Sequence, residues 1–127
     1  MVVPENLLYS KTHEWVQFVD GKARVGLTDY AQDALGDVVF FDLPAAGNEV
    51  NAGDVIGEVE SVKAVSEIFA AVGGVVCAVN EALIDSPELV NTAPYENWIY
   101  EIEGAAGGEA LLTPAQYEAF CREEAQS

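Results

Sequence analysis

Apolar and polar residues run along this chain in short strand-like stretches, broken at regular intervals by Gly, Pro and Asn. That pattern predicts a mainly β sandwich or barrel-like sandwich. Trp15–Val19 and Lys22–Leu27 read as two strands joined by Asp20-Gly21, a connection that asks for positive φ at both positions. Trp15, Gln17 and Val19 share one face, and Val16 and Phe18 the other, so both faces are expected to be covered. Val38–Leu43 predicts another strand, closed by Pro44, and Ala45–Asp54 reads as turns. Val55–Val59 and Val65–Phe69 carry the β-branched and aromatic residues of a half-buried pleat. Val75–Val79 follows Gly73-Gly74 as a further strand. Asn97–Glu103 alternates Trp98, Tyr100 and Ile102 against a wetter face, and Gly104–Gly108 reads as a flexible connector.

Three stretches have helical signals instead. Thr28–Gly36 offers Thr28 or Asp29 as a cap, a Gly stop, and Ala31, Ala34 and Leu35 at helical spacing. Ser86-Pro87-Glu88-Leu89 predicts one helical turn with Ser as cap. Thr113-Pro114-Ala115-Gln116 is a capping box, and Leu112 and Tyr117 have hydrophobic-staple spacing. Tyr117, Phe120 and Cys121 form the stripe that should pack this last helix, residues 112–127, onto the sandwich. At 127 residues, with no boundary or repeat, one domain spanning 1–127 is expected.

Between two of the strands lies Glu60-Ser61-Val62-Lys63-Ala64, which places Lys63 at or near a hairpin tip. Lys63 is the only basic residue between Arg24 and Arg122 in a chain of formal net charge −17. A lone amine on a turn is accessible to an acylating enzyme, although most hairpin lysines are simply solvated charges. The acidity argues against nucleic acid and anionic membrane partners and favours basic docking faces. No apolar run reaches membrane-spanning length, and the start has neither a secretory n-region nor an Arg-rich leader. A cytoplasmic protein is expected, or a mitochondrial matrix one if a leader has been removed.

Enzyme signatures are missing. There is no nucleophile elbow, P-loop or histidine pair, and Gly104–Gly108 lacks the context of a dinucleotide fingerprint. Cys77, Cys121 and the single His13 are too few for a metal site or a disulfide framework, and both thiols are expected to be buried and inert. His13 has no partner nucleophile and reads as structural. The chain reads as one that carries something.

The segment Glu60–Ala64 resembles the lipoyl-lysine motif of the glycine cleavage system H proteins. Further blocks occur in that family's order: His13-Glu14-Trp15, Val25–Gln32, Leu35–Phe40, Val79–Leu83, Pro87–Asn91 and Pro94-Tyr95. The resemblance implies a lipoyl-type barrel-sandwich hybrid with short helices and a C-terminal α-helix, and a carrier that is not itself an enzyme. It implies lipoate in amide linkage on Lys63, with Glu60, Ser61, Val62 and Ala64 as recognition around the attachment site. The arm would take an aminomethyl group from a pyridoxal-phosphate glycine decarboxylase (P protein) and pass it to a tetrahydrofolate-dependent aminomethyltransferase (T protein). Dihydrolipoamide dehydrogenase (L protein) would reoxidise it, and a lipoate ligase or lipoyl transferase would attach it. By the same resemblance Thr12, Glu14, Tyr30 and Glu67 line the cleft for the loaded arm, with Glu14 as ammonium partner, Thr12 and Glu67 as further acceptors, and Tyr30 as wall or core. A monomer is expected, since a carrier must leave its partners.

Two departures, Ala70-Ala71-Val72-Gly73-Gly74 for Ala-Pro-Val-Ser-Gly and Asn97 before Trp98, are local turn changes. Rival readings are a biotin carrier, which would flank its lysine with methionines, and a lipoyl domain of a 2-oxo acid dehydrogenase, which more often has Asp before it. A lipoyl-relay protein donating lipoate to other acceptors and a non-lipoylated acidic binding module also stand as alternatives.

Overall fold

The computed structural model describes residues 1–126. Its strands are β1 (Leu8–Tyr9), β2 (Glu14–Val19), β3 (Lys22–Leu27), β4 (Val38–Asp42), β5 (Glu49–Val50), β6 (Val55–Ser61), β7 (Val65–Phe69), β8 (Gly73–Val79) and β9 (Tyr100–Ala106). Helices α1 (Asp29–Leu35), α2 (Ala82–Asp85), α3 (Leu89–Thr92) and α4 (Pro114–Gln126) complete it. Two antiparallel sheets face each other, one ordered β1-β2-β3-β9-β8-β5 and the other β4-β6-β7. Val16, Val25, Phe41, Val59, Ile68, Val76 and Ile102 fill the space between them. No helix among the described residues is long and apolar enough to cross a membrane.

The β2–β3 hairpin follows its turn chemistry: Asp20 has φ 51° and Gly21 φ 77°. Both of its faces are covered only near Trp15 and Val16, because Phe18 and Val19 at the far end are 52% and 41% exposed. Val16 points into the sandwich, while Trp15 lies in a second cluster with Leu7, Tyr9, Tyr117 and Cys121. Gly26 stands opposite Trp15 in register, and a Cβ there would meet the indole at 2.6 Å. The ring therefore lies across bare backbone, which only glycine permits.

Thr28 caps α1, its Oγ1 accepting from the Ala31 amide at 3.1 Å. Gly36 ends it with φ 76°. In α4 the capping box closes reciprocally: the Gln116 amide donates to Thr113 Oγ1 at 3.3 Å, and the Thr113 amide to Gln116 Oε1 at 2.9 Å. Tyr117 and Cys121 are buried beneath this helix, with Phe120 partly covered. The last residue of the expected helical span, Ser127, lies outside the described residues.

Several expectations shift. Asn97–Ile99 precede the strand, and β9 runs instead through the glycine-containing segment to Ala106, because Gly73 pairs with Ala106 across the sheet. Glu49–Val50, expected as turn, forms a short strand on β8. Ser86 closes α2 rather than capping α3, whose N-cap is Glu88. Cys121 is buried, but Cys77 is only half-covered, its Sγ donating to the Glu101 carbonyl at 3.4 Å.

Candidate functional site

Between β6 and β7 the chain turns through Val62-Lys63, two residues enclosed by the Ser61 amide on the Ala64 carbonyl at 2.8 Å. Such loops usually need positive φ and therefore glycine or asparagine. Neither Val62 nor Lys63 has positive φ. The buried Ser61 supplies the missing acceptor, its Oγ receiving the amides of Lys63 at 3.3 Å and Ala64 at 3.1 Å. The Val62 amide donates to the Asp37 carbonyl at 3.0 Å, tying the loop to the end of α1. Lys63 is thus exposed on a turn braced from within and from behind, and among the described residues its amine has no ion-pair partner. Glu60, Val62 and Ala64 are exposed around it, whereas the Ser61 hydroxyl faces inward to build the turn.

Beside this loop opens a hollow of about 300 Å³. Leu27, Ala31, Ala34, Leu35, Val59, Ala64 and Val65 give it an apolar wall, and Thr12, His13, Tyr30, Ser66 and Glu67 give it a polar end. The structure therefore brings Thr12, Tyr30 and Glu67 together in one wall. Glu14 does not line it: 1% exposed, it stands one hydrogen bond behind Thr12. Its Oε1 accepts from Ser10 Oγ at 2.6 Å and Thr12 Oγ1 at 2.5 Å, while among the described residues its buried Oε2 has no hydrogen-bond partner. Burial pushes the Glu14 carboxyl up to about 7, against the pull of the Ser10 and Thr12 hydroxyls.

His13 belongs to this site although its sequence context pointed to a structural role alone. Its φ is 68°, a left-handed conformation that places about 1 kcal/mol of strain on a residue with a Cβ. Nδ1 lies 2.7 Å from the Tyr117 hydroxyl and Nε2 2.7 Å from Glu124, and the ring stacks on Tyr30 at 4.6 Å. Only the folded chain brings Tyr117 and Glu124, more than a hundred residues away, to this ring. Among the described residues no cluster of His, Cys, Asp and Glu is arranged to hold a metal.

An exposed lysine on a braced hairpin beside an apolar hollow, in a two-sheet sandwich, is the arrangement of a carrier domain. The chain matches the glycine cleavage H-protein family over residues 7–124 and belongs to it. It is 50% identical over 125 residues to the glycine cleavage system H protein of Lachnoclostridium phytofermentans, covering 98% of each chain. It is 52% identical over 126 residues to that of Oceanobacillus iheyensis, covering 97% of this chain and all of the other. The crystal structure of a glycine cleavage system H protein from Mycobacterium marinum superposes with a TM-score of 0.84 at 37% identity, covering 97% of this chain and 99% of that one. The lipoyl-type architecture expected from the sequence is the one observed.

Proposed function

We propose that Lys63 is the lipoyl attachment residue through which this chain serves as the carrier subunit of the glycine cleavage system. The observation that carries the reading is the exposed Lys63 amine on its braced turn, immediately beside the hollow lined by Ala64 and Val65. The residues present fit the group. An apolar wall of Leu27, Ala31, Leu35 and Val59 suits an aliphatic arm, and an orphaned buried carboxylate oxygen stands behind the polar end. Lipoate, when bound, supplies the redox-active disulfide on which cargo is taken up and released.

The chain's own residues provide position and shelter. The hollow withdraws the end of the arm from water, which lengthens the life of a hydrolysable cargo. Thr12 and Glu67 offer acceptors at its polar end, and Tyr30 walls it. Glu14 stands behind Thr12 with its Oε2 unpartnered among the described residues, and an ammonium at the polar end would draw its carboxyl down from about 7 toward the ionised form. Glu60, Val62 and Ala64 are the surface met by the enzyme that attaches the arm, a lipoate ligase or lipoyl transferase. The chain is a carrier subunit and catalyses nothing itself. Its partners in turn are the glycine decarboxylase (P protein), the aminomethyltransferase (T protein) and dihydrolipoamide dehydrogenase (L protein), and the net charge of −17 favours docking through basic surfaces.

The test is exchange of labelled CO2 into glycine by the P protein. The lipoylated chain should support it and Lys63→Ala should not. Equal exchange with the variant would refute the assignment.

A further inference from the structure

Between β1 and β2 the chain turns through Lys11-Thr12-His13, three residues enclosed by the Ser10 amide on the Glu14 carbonyl at 2.9 Å, with the His13 amide on the Ser10 carbonyl at 3.2 Å. In loops of this length the last residue takes a left-handed conformation, where glycine fits best. Here that residue is His13, with φ 68°. Nothing in the turn requires an imidazole, yet the ring is engaged on every side. Tyr117 and Glu124 of α4 each sit 2.7 Å from a ring nitrogen. Tyr30 of α1 stacks at 4.6 Å and 22°, and Phe120 lies at 5.7 Å.

We infer that His13 is a positioning residue for the arm site, a strut from α4 that sets Thr12 against Glu14 and holds Tyr30 as the facing wall. This deepens the reading of the hollow as the arm's shelter and rests on it. The chain of contact is continuous. Glu124 and Tyr117 fix the ring, and the Tyr117 hydroxyl also meets Thr28 Oγ1, the cap of α1, at 2.7 Å. The ring in turn fixes both the loop carrying Thr12 and the face of Tyr30. Thr12 then holds one oxygen of Glu14, and the other is unpartnered among the described residues. A strained backbone retained beside a binding site is the expected mark of such a role.

The comparison is between the parent and His13→Gly, which gives the turn its favoured residue and deletes the ring. Both are first lipoylated to completion, as judged by intact mass, then loaded through the P protein. His13→Gly should lose ammonia from the loaded arm about fivefold faster or more, the effect of one misplaced hydrogen bond. His13→Asn, which also tolerates the left-handed backbone but lacks the imidazole ring, should shorten that lifetime likewise. Tyr117→Phe, which leaves the loop sequence intact, should shorten it in the same direction. A second readout uses the unlipoylated chain: the Glu14 carboxyl, followed by 13C NMR, should titrate higher in His13→Gly because the Thr12 hydroxyl is no longer held against it. Parental arm lifetime together with parental Glu14 titration in His13→Gly would overturn the inference. A parent that takes no lipoate on Lys63 would instead sink the functional reading, and the Glu14 titration would still decide whether His13 positions Thr12.

Discussion

The stem of Lys63 lies against Gly36: a Cβ at position 36 would meet Lys63 Cε at 3.3 Å and Nζ at 3.8 Å. The residue ending α1 and the lysine proposed to bear the arm are therefore neighbours, linked also through the Val62 amide on Asp37. At φ 76° and ψ −155°, Gly36 occupies a region almost closed to other residues. Gly36→Ala should lower stability by about 1–3 kcal/mol, mostly from backbone strain because the lysine end can swing aside. Calorimetry checks this, and an unchanged melting temperature would contradict it.

Glu14 gives a pH signature. Its folded carboxyl titrates at about 7 against an ordinary 4.5, so the folded state holds the proton more tightly than the unfolded state. Stability from this group is full below about 4.5, falls as pH rises, and is lost by about 7. The loss is on the order of 3 kcal/mol. Relative to the parent, Glu14→Gln should therefore gain stability across that window, read as the difference between urea midpoints at pH 4.5 and pH 8. A constant difference would show that Glu14 is not held protonated.

In function, Glu14→Ala should be lipoylated normally, since Lys63 stands on the β6–β7 turn and Glu14 in β2. Once loaded, it should release ammonia faster than the parent. Equal decay rates would remove Glu14 from the site.

Asn91 staples three elements behind the lysine turn. Its Oδ1 accepts from the Val38 amide at 2.9 Å, and its Nδ2 donates to the Gly36 carbonyl at 2.8 Å and Gln32 Oε1 at 3.0 Å. Asn91→Ala orphans the Val38 amide at the start of β4 and should cost on the order of 2 kcal/mol. A urea midpoint within error of the parent would contradict it.

Much of this was legible in the residues, where local chemistry decides the outcome. Asp20-Gly21 forced a hairpin, Thr113 and Gln116 made their box, and Gly36 stopped α1. The Lys63 turn was visible because two strand-like runs flank it. What was missed depends on partners distant in sequence. Val50 and Ala106 look like loop residues and become strand only by pairing with the β8 glycines. The short α2 has no side-chain cap to announce it. Thr12, Tyr30 and Glu67 do meet in one wall, yet the full burial of Glu14 follows from β2 turning that side chain toward the core with Val16. Nothing near His13 in sequence foretells Tyr117 and Glu124 at its ring nitrogens.

The most direct test is the intact mass of the chain after incubation with a lipoate ligase, lipoate and ATP, followed by peptide mapping. A single lipoyl adduct on Lys63, absent from Lys63→Ala although that variant folds and melts like the parent, is the expected result. No adduct from a ligase that modifies a control acceptor, or an adduct on Lys11 or Lys22 instead, would contradict the assignment of Lys63 as the carrier residue.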